Sequence, residues 1–266
     1  MSTSIATCFL QGGIGNIMFQ IAATIGYATK NNKSVEFYYG LHQPSNHGSI
    51  NQYSSNILQN LQFSNYNNIP FLQYSEPGFH YTEIPHYPTN VVLSGYFQSE
   101  KYFKHCDTDI KEYFKYHIKD NYYGDILQEK NTCSLHVRRG DYLNLSQYHT
   151  SLDIEYYKRA VSLFDKKTIF IVMSDDIGWC KEAFSSSYFS DYSFVYLENQ
   201  KPYEDLFFAI NSKNNIIANS SFSWWGAWLN DNPNKSVVSP DPVRWFGPAY
   251  KNNSTKDILC PSWKSI

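Results

Sequence analysis

Residues 133–142 are Cys-Ser-Leu-His-Val-Arg-Arg-Gly-Asp-Tyr, an apolar run that ends in two arginines, a glycine and an acid. The apolar half has the length and composition of a buried β-strand, and the glycine predicts a turn after it. Arg138 and Arg139 therefore stand at the carboxyl end of a strand, where open α/β sheets bind nucleotides. This stretch predicts an α/β fold with its ligand site at the arginines.

Two adjacent arginines at that place indicate a phosphate ligand. Each guanidinium offers a planar fork of N–H groups that can hold two phosphate oxygens at once. Asp141 follows closely enough to orient one fork or to accept a proton itself. The competing interpretation is a solvated basic turn whose arginines pair with their own acid.

The chain after residue 133 alternates regularly between predicted strands and predicted helices. The strands are 133–137, 168–173, 193–197, 215–218 and 236–238, and the helices are 153–164, 176–184, 203–212 and 222–230. Such alternation is typical of a parallel sheet covered by helices, as in Rossmann-like nucleotide domains. Because parallel strands gather their ligands at their carboxyl ends, we expect Arg138 to meet the turns at 174–176 and 219–221 in one crevice.

The amino-terminal half begins with a predicted strand at 5–10, a glycine-rich loop and an apolar helix from Asn16 to about residue 29. A junction of strand, glycine loop and helix brings backbone N–H groups to a cleft. Further strands are predicted at 34–39 and 91–95. Residues 41–90 show little periodicity and are predicted to be irregular.

Length and composition suit a folded protein of one large or two small domains, because the chain has 266 residues. The polar stretch 119–132 precedes the strand at 133, so we place a boundary there and predict domains at 1–130 and 131–266. A hydrophobic content of 42% and an aromatic content of 18% argue against disorder. The net charge of -2 argues against bulk affinity for nucleic acid, so any anion site must be a local cluster.

The five cysteines are an odd number without a C-x-x-C pair, which favours free thiols in a reducing compartment. The first residues lack the basic and apolar regions of a secretory leader. No stretch reaches the roughly 18 consecutive apolar residues that a membrane span requires. The sequence therefore predicts neither secretion nor a transmembrane segment.

Four motifs resemble those of the α-1,2-fucosyltransferases, enzymes that move L-fucose from GDP-fucose onto a galactose hydroxyl. They are 136–142 for H-x-R-R-G-D-Y, 12–20 for G-G-L-G-N-Q-M-F-Q, 174–181 for S-D-D-x-x-W-C-K, and 219–229 for N-S-S-F-S-W-W-G-A-W-L. The motifs keep the family's order, and the resemblance spans the chain from about Leu10 to Phe246. One departure is Ile17, where the family usually has glutamine, which removes a possible polar contact beside Asn16.

The resemblance implies a GT-B-like α/β protein of two facing Rossmann-type domains. The donor nucleotide site would lie in the carboxyl-terminal half, and the amino-terminal domain would shape the acceptor site. It implies transfer of L-fucose from GDP-β-L-fucose to the 2-hydroxyl of a terminal galactose with inversion, in surface polysaccharide (O-antigen or LPS) synthesis. A Golgi member would carry a membrane anchor. Its absence favours a cytoplasmic bacterial enzyme, at most in peripheral contact with the inner face of the membrane, or a truncated form.

The resemblance also suggests roles for residues of the first motif. Arg138 would bind the β-phosphate of the donor, and His136 would contact the nucleoside. We expect Arg139 to brace the site through Asp141. Asp141 is also the candidate base for the acceptor hydroxyl, so Arg138 and Asp141 are the predicted catalytic residues.

Two later turns supply further donor-binding candidates. Acids that follow a strand, as Asp175 and Asp176 do, hydrogen-bond a ribose or guanine, although one of them can simply cap the next helix. Ser220, Ser221 and Phe222 precede a helix whose free N–H groups can receive phosphate oxygens. The complete predicted donor site is Asn16, His136, Arg138, Arg139, Asp175, Asp176, Ser220, Ser221 and Phe222. The tryptophans at 224, 225 and 228 are predicted to pack beneath it.

Asp107-Thr108-Asp109 is the D-x-D pattern by which many glycosyltransferases hold a divalent metal. We predict instead that these acids begin a helix, because carboxylates favour a helix amino terminus. With arginines to neutralise the phosphates, we expect no metal and no cofactor besides the donor GDP-fucose. Two other classes stay open: a carbohydrate-binding protein that lost catalysis, and another GDP-sugar transferase such as an α-1,6-fucosyltransferase.

Overall fold

The computed structural model describes residues 3–43, 49–66, 68–118 and 123–266. The chain divides into two compact units, which we call unit 1 (Met1–His117 with Asn253–Cys260) and unit 2 (Ile118–Asn252 with Pro261–Ile266). The division falls before the predicted boundary stretch because Ile118, Ile126 and Leu127 pack against a core cluster of unit 2. A second crossing near the carboxyl terminus returns eight residues to unit 1, which the polarity of the sequence did not indicate.

Unit 1 is built on a small parallel sheet whose strands run in the order β2-β1-β6-β5. Its strands and α-helices are β1 (Ile5–Cys8), α1 (Ile14–Asn31), β2 (Ser34–Val35), β3 (Phe37–Tyr38), β4 (Phe63–Ser64), β5 (Leu72–Ser75), β6 (Val91–Ser94) and α2 (Asp107–Tyr113). Short 3-10 helices lie at Tyr39–Leu41, Ile50–Tyr53, Glu100–Tyr102 and Lys104–Cys106. Strands β3 and β4 form a separate parallel pair. Helix α1 is buried along most of its length, so it forms the centre of this unit.

The structure corrects two predictions for the amino-terminal half. The strand predicted at 34–39 is interrupted and forms β2 and β3. The region 41–90, predicted to be irregular, contains β5, which pairs in parallel with β6. Because β5 is an edge strand with mostly exposed side chains, its backbone pairing rather than an apolar pattern defines it. Residues 44–48 and 67 of that region lie outside the described residues. Helix α2 begins at Asp107, as predicted.

Unit 2 contains a six-stranded parallel sheet in the order β12-β11-β10-β7-β8-β9. Its strands and α-helices are β7 (Thr132–Val137), α3 (Gly140–Asn144), α4 (Ile154–Val161), β8 (Ile169–Ser174), α5 (Ile177–Ala183), β9 (Ser193–Tyr196), α6 (Pro202–Asn211), β10 (Asn214–Ile216), α7 (Ser221–Leu229), β11 (Val237–Ser239) and β12 (Lys264–Ser265). Short 3-10 helices lie at Gly124–Gln128, Ser187–Phe189, Pro242–Arg244 and Pro248–Tyr250. Every strand and helix predicted after residue 133 is present, whereas α3 and β12 were not predicted.

The two faces of this sheet are covered by different helices. On β7, Cys133, Leu135 and Val137 belong to the core cluster formed with α4 and α5. On the opposite face, the side-chain amide of Asn215 donates to Ser134 Oγ and to the carbonyl of Ala209 in α6, both at 2.7 Å. Side chains alternate along a strand, so His136 shares the face of Ser134 and lies toward α6 and α7.

Helices α6 and α7 pack closely because small residues lie where they meet. A side chain at Gly226 would begin 2.5 Å from the Cβ atom of Ala209, so only glycine allows this approach. Trp224 and Trp225 are fully buried and Trp228 is nearly so. The prediction that these tryptophans serve packing is confirmed, because their burial anchors α7 in the interior of unit 2.

The cysteine and membrane predictions can also be compared with the structure. All five cysteines are buried free thiols. Burial raises the pKa of the Cys8 thiol to about 12, which keeps it protonated. Across the described ranges, no helix combines the length and apolarity needed to cross a membrane.

Candidate functional site

The carboxyl ends of β7 and β8 are joined through Asp175. One carboxylate oxygen of Asp175 lies 3.1 Å from Arg138 Nη1. The other oxygen accepts the backbone N–H of Arg139 at 2.9 Å. A side chain at Gly140 would begin 2.6 Å from the same carboxylate, which explains why glycine opens α3. Asp175 therefore fixes both the backbone and the first arginine of the turn after β7.

Arg138 also faces Asp141. Its Nη2 atom lies 2.7 Å from Asp141 Oδ1. That oxygen is buried and accepts no hydrogen bond from any described residue, so the contact is charge attraction without an aligned N–H group. The guanidinium lies 5.4 Å from the ring centre of Tyr142, and 24% of the side chain is exposed. Arg138 is thus held between two carboxylates while part of its fork faces solvent.

Arg139 makes a separate set of contacts. Its Nε–H donates to Asp176 Oδ2 at 3.2 Å, and its guanidinium stacks 4.1 Å above the ring of Trp179. Asp176 also caps α5 by accepting the N–H of Trp179. The expected brace between Arg139 and Asp141 is wrong. Arg138 and Asp141 are three residues apart at the start of a helix and face each other, whereas Arg139 points toward α5.

The turn before α7 completes this edge of the sheet. Tyr142 donates its hydroxyl to the carbonyl of Asn219 at 3.1 Å, which joins this turn to the one after β7. Ser220 is the N-cap residue of α7, yet its side chain makes no capping hydrogen bond. The first N–H groups of this nine-residue helix therefore receive no hydrogen bond from the Ser220 side chain. With carboxylates outnumbering arginines three to two in the ion pairs, this helix terminus adds needed positive potential.

His136 lies beside this turn on the α7 face of the sheet. It is 7% exposed, and its ring centre lies 5.4 Å from that of Phe222 in the first turn of α7. Its Nδ1 atom is buried and has no hydrogen-bond partner among the described residues. Burial lowers the pKa of His136 to about 4, with the charge of Asp175 opposing the shift and that of Arg138 adding to it. The imidazole is therefore neutral at physiological pH.

Asp205 is a candidate that the sequence analysis missed. It lies in the first turn of α6, and α6 packs on the face of the sheet that carries His136. Its Oδ1 atom is buried without a hydrogen-bond partner in the described part of the chain. Burial, and to a lesser degree Glu204, raises the pKa of Asp205 to about 7. Acids in a first helical turn are expected for the helix dipole alone, so no sequence signal distinguished it.

His149 is a second missed candidate. Its ring stacks on Tyr142 with 4.3 Å between ring centres. Burial lowers the pKa of this histidine, and the charges of Asp141 and Arg138 both act on it, in opposite directions. His149 lies beyond the motif that ends at Tyr142, and only the fold brings it back to this site.

Asn16 belongs to unit 1. It lies in the first turn of α1, where its Oδ1 atom accepts a hydrogen bond from Gln98 Nε2 at 2.8 Å. No group of three or more His, Cys, Asp or Glu side chains suited to a metal ion occurs among the residues that the structure describes.

Solved structures of fucosyltransferases share the fold of this chain. The fucosyltransferase NodZ from Bradyrhizobium is 12% identical, with a TM-score of 0.52 over 85% of this chain and 91% of that one. A mutant of Arabidopsis thaliana FUT1 in complex with GDP is also 12% identical, with a TM-score of 0.51 over 99% of this chain and 76% of that one. The predicted α/β, GT-B-like fold is confirmed.

Two proteins of Escherichia coli are similar in sequence. The O-antigen biosynthesis glycosyltransferase WbnK is 39% identical over 53% of this chain, a match that spans 46% of that protein's length. An alpha-1,2-colitosyltransferase is 28% identical over 91% of this chain and 93% of its own length.

More distant relatives come from animals. A galactoside 2-alpha-L-fucosyltransferase of Caenorhabditis elegans is 26% identical over 66% of this chain and 53% of that protein. The family model described as glycosyl transferase family 11 matches residues 43–264, a range that includes three of the four motifs. The chain belongs to glycosyl transferase family 11.

Proposed function

We propose that the protein transfers L-fucose from GDP-fucose to the 2-hydroxyl of a terminal galactose with inversion, during O-antigen or other surface polysaccharide synthesis. The observation that carries this proposal is the partly exposed fork of Arg138, held at the carboxyl end of β7 in a family 11 chain. The names of the E. coli and C. elegans relatives support the polysaccharide setting and the linkage. A cytoplasmic location and an acceptor site on the amino-terminal side are part of the same proposal.

The leaving diphosphate determines what Arg138 must do. As the bond between fucose C1 and the β-phosphate oxygen breaks, negative charge builds on that phosphate. A fixed guanidinium stabilises this charge, and one such preorganised donor is typically worth about 2.7 to 4 kcal/mol. The contacts of Arg138 with Asp141 and Asp175 keep its fork in place before the donor arrives. The N–H groups at the start of α7, with Ser220 and Ser221, provide further phosphate donors.

The acceptor hydroxyl attacks fucose C1 from the face opposite the diphosphate, and its proton must be taken up. We assign this role to Asp141, whose Oδ1 atom accepts no hydrogen bond in the described structure. The galactose oxygen then forms its bond to C1 while the diphosphate departs as GDP. His149 is the alternative proton acceptor, because its lowered pKa keeps it in the basic form.

Recognition of guanine falls to different residues from those expected. Asp175 and Asp176 hold the two arginines, and Asp176 also caps α5, so both carboxylates are already engaged. Asp205 has an unpartnered buried oxygen on the same face of the sheet as His136. A carboxylate can accept both N–H groups on the Watson–Crick edge of guanine. We therefore assign guanine to Asp205, and the rest of the nucleoside to His136 and Phe222.

A second candidate function is transfer of colitose in place of fucose. The E. coli colitosyltransferase matches nearly the full length of this chain, which favours this possibility over other GDP-sugars. Colitose lacks one ring hydroxyl that fucose carries, so the two donors differ only in the sugar. All assignments to the nucleotide would stay the same.

The test is a transfer assay with GDP-fucose and GDP-colitose offered separately to a panel of galactosides. Product linkage is determined by NMR. We expect fucose on the 2-hydroxyl of galactose as the main product. Colitose as the better substrate would replace the donor assignment. Hydrolysis without transfer, or a different linkage, would contradict the acceptor assignment.

A further inference from the structure

Two loops of unit 1 are joined at the carboxyl ends of β1 and β6. Gln20 of α1 is fully buried between them. Its Nε2 atom donates to the carbonyls of Gln11 at 3.2 Å and Gly95 at 3.1 Å. Its Oε1 atom accepts the N–H of Gln11 at 3.0 Å. One buried amide thus fixes the loop before α1 to the loop after β6.

The loop after β6 holds an unfavourable backbone conformation. Phe97 is a buried aromatic residue with φ of 52°, in the left-handed region that side chains disfavour. At Gly95, φ is 156°, and a side chain there would begin 2.4 Å from the Cβ atom of Glu76. At Phe97, strain of this kind costs about 1 to 3 kcal/mol and persists only where neighbours enforce it, whereas glycine adopts a positive φ without strain.

Glu76 enforces this conformation. Its Oε2 atom accepts the backbone N–H groups of Tyr96 at 2.7 Å and Phe97 at 2.9 Å. Burial raises the pKa of the Glu76 carboxyl, whereas these two hydrogen bonds oppose the shift. The carboxylate therefore stabilises the fold, because it holds the backbone of the loop at Tyr96 and Phe97. A clamped and strained loop is a frequent device for holding a binding side chain in place.

The side chain that this loop presents is Gln98. Its Nε2 atom donates to Asn16 Oδ1 at 2.8 Å. Its Oε1 atom is buried and finds no hydrogen-bond donor within the described ranges. A buried acceptor without a partner costs about 1 to 3 kcal/mol. A ligand that donates a hydrogen bond to Gln98 Oε1 would remove this cost. Asn16 Nδ2 lies beside Gly12, 2.6 Å from where a side chain would begin, so this glycine leaves room for the amide.

We propose that Gln98 and Asn16 form a hydroxyl-binding subsite for a pyranose sugar. A ring hydroxyl donates to Gln98 Oε1, and a neighbouring hydroxyl accepts from an amide N–H. The residues that form the subsite are neutral amides, which suit sugar hydroxyls better than phosphate. The half-exposed ring of Tyr96, next to the clamped loop, offers an apolar face of the kind on which sugars stack. The sugar is the fucose of the donor or the galactose of the acceptor, so this subsite rests on the proposed function.

The test is the variant Gln98→Met, which keeps the length of the side chain and removes both amide groups. We expect KM to rise about tenfold for one sugar substrate, because the hydrogen bond from its hydroxyl to Gln98 Oε1 is lost. The melting temperature should change little, because the variant removes the unpartnered Gln98 oxygen while it takes away the donor to Asn16 Oδ1. KM measured for GDP-fucose and for the galactoside in turn identifies which sugar is bound. The control is Gln59→Met, an exposed amide of unit 1 that donates to the carbonyl of Lys115.

A KM within twofold of wild type for both substrates would overturn the proposal. If Gln98→Met does not fold, Gln98→Asn replaces it. That variant keeps the amide but withdraws it by one carbon, and the same tenfold rise in KM is expected. If the wild-type protein shows no transfer at all, the proposed function fails while the subsite stays testable. Saturation-transfer NMR with free L-fucose and methyl β-galactoside should then show contact with one sugar that Gln98→Met abolishes. Equal signals in both proteins would count against the subsite.

Discussion

The two parallel sheets of this protein end in loops of opposite chemical character. In unit 2, the loops after β7 and β8 present Arg138, Arg139 and their carboxylate partners. In unit 1, the first turn of α1 and the loop after β6 present the neutral amides of Asn16 and Gln98. The same topological position thus carries charge in one unit and hydrogen-bonding amides in the other. We infer that the charged edge serves the diphosphate and that the neutral edge serves a sugar.

Different interactions hold the binding side chains in position at the two edges. Ion pairs hold Arg138 in position while its fork stays partly exposed. In unit 1, the Glu76 carboxylate accepts two backbone N–H groups and holds the strained backbone at Phe97. Charged contacts at an exposed edge weaken with salt, whereas a buried hydrogen-bond clamp does not. Variants at the two edges should therefore fail in distinguishable ways.

The largest effect is expected at Arg138. In Arg138→Lys, turnover should fall by about a hundredfold or more, nearly as far as in Arg138→Ala, because an ammonium cannot grip two phosphate oxygens in a plane. Steady-state transfer assays at saturating galactoside measure this loss. The matched control is Arg159→Lys, an exposed arginine on α4 of the same unit. A lysine variant with near-normal turnover would remove Arg138 from the leaving-group role.

The next largest effect concerns Asp205 and pH. The raised pKa of about 7 means that Asp205 is largely protonated below that value, when it cannot accept both guanine N–H groups. GDP affinity should therefore increase as pH rises through 7, and Asp205→Asn should lower affinity about tenfold above that range and flatten the pH dependence. Calorimetric titration of GDP at several pH values measures both. An Asn variant that keeps the wild-type pH profile would exclude Asp205 from the nucleotide site.

A smaller effect is expected on stability, through His136. Its folded-state pKa of about 4 lies below the ordinary 6.5, so the unfolded chain binds more protons between these values. Stability from this residue is present above 6.5 and is lost as pH falls toward 4, by up to about 1.4 kcal/mol for each pH unit. The contribution of Asp205 to stability changes in the opposite direction over part of this range. Its raised pKa means that the folded chain binds the additional proton, so this contribution falls as pH rises. The contribution of Asp205 is the same in wild type and in His136→Gln. It therefore cancels when the free energies of unfolding of the two proteins, measured in urea, are subtracted. Equal acid losses in the two proteins would show that His136 is not the cause.

The smallest effect is expected from removal of metal ions. Arginine and the amino terminus of α7 supply positive charge at the phosphates, so transfer should continue in excess EDTA at an unchanged rate. The assay is product formation with and without chelator. Activity lost to EDTA and restored by Mg²⁺ or Mn²⁺ would overturn this prediction. Asp107, Asp109, Asp175 and Asp176 would then have to be reconsidered as ligands.

The alternation of strands and helices in unit 2 could be predicted because its strands are apolar and buried, so local composition and fold agree. Strand β5 could not be predicted, because its side chains are mostly exposed and only its pairing with β6 defines it. The return of residues 253–260 to unit 1 could not be predicted either. It depends on long-range contacts such as that of Lys101 with Asp257 at 2.6 Å, about which local sequence carries no information.

At the charged edge, the sequence placed Arg138 and Asp175 correctly at neighbouring strand ends, because parallel topology determines which turns meet. It could not assign the partners of the two arginines. Asp141 contacts Arg138, not Arg139, and this depends on the rotamers at the start of α3. Asp205 and His149 were not predicted as site residues, because the burial that shifts their pKa values arises only in the folded chain. Gln98 was not predicted as a site residue, because its unpartnered oxygen is a property of three-dimensional contacts.

The difference between the two edges is tested most directly by titrating GDP, which lacks the sugar, into three proteins by calorimetry. These are wild type, Arg138→Lys and Gln98→Met. We expect Arg138→Lys to weaken GDP binding about tenfold or more, because it loses a bidentate phosphate contact. Gln98→Met should bind GDP within about twofold of wild type, because its hydrogen bonds are to a sugar that GDP lacks. Unchanged GDP affinity in Arg138→Lys, or a large loss in Gln98→Met, would contradict the assignment of diphosphate to the charged edge and sugar to the neutral one.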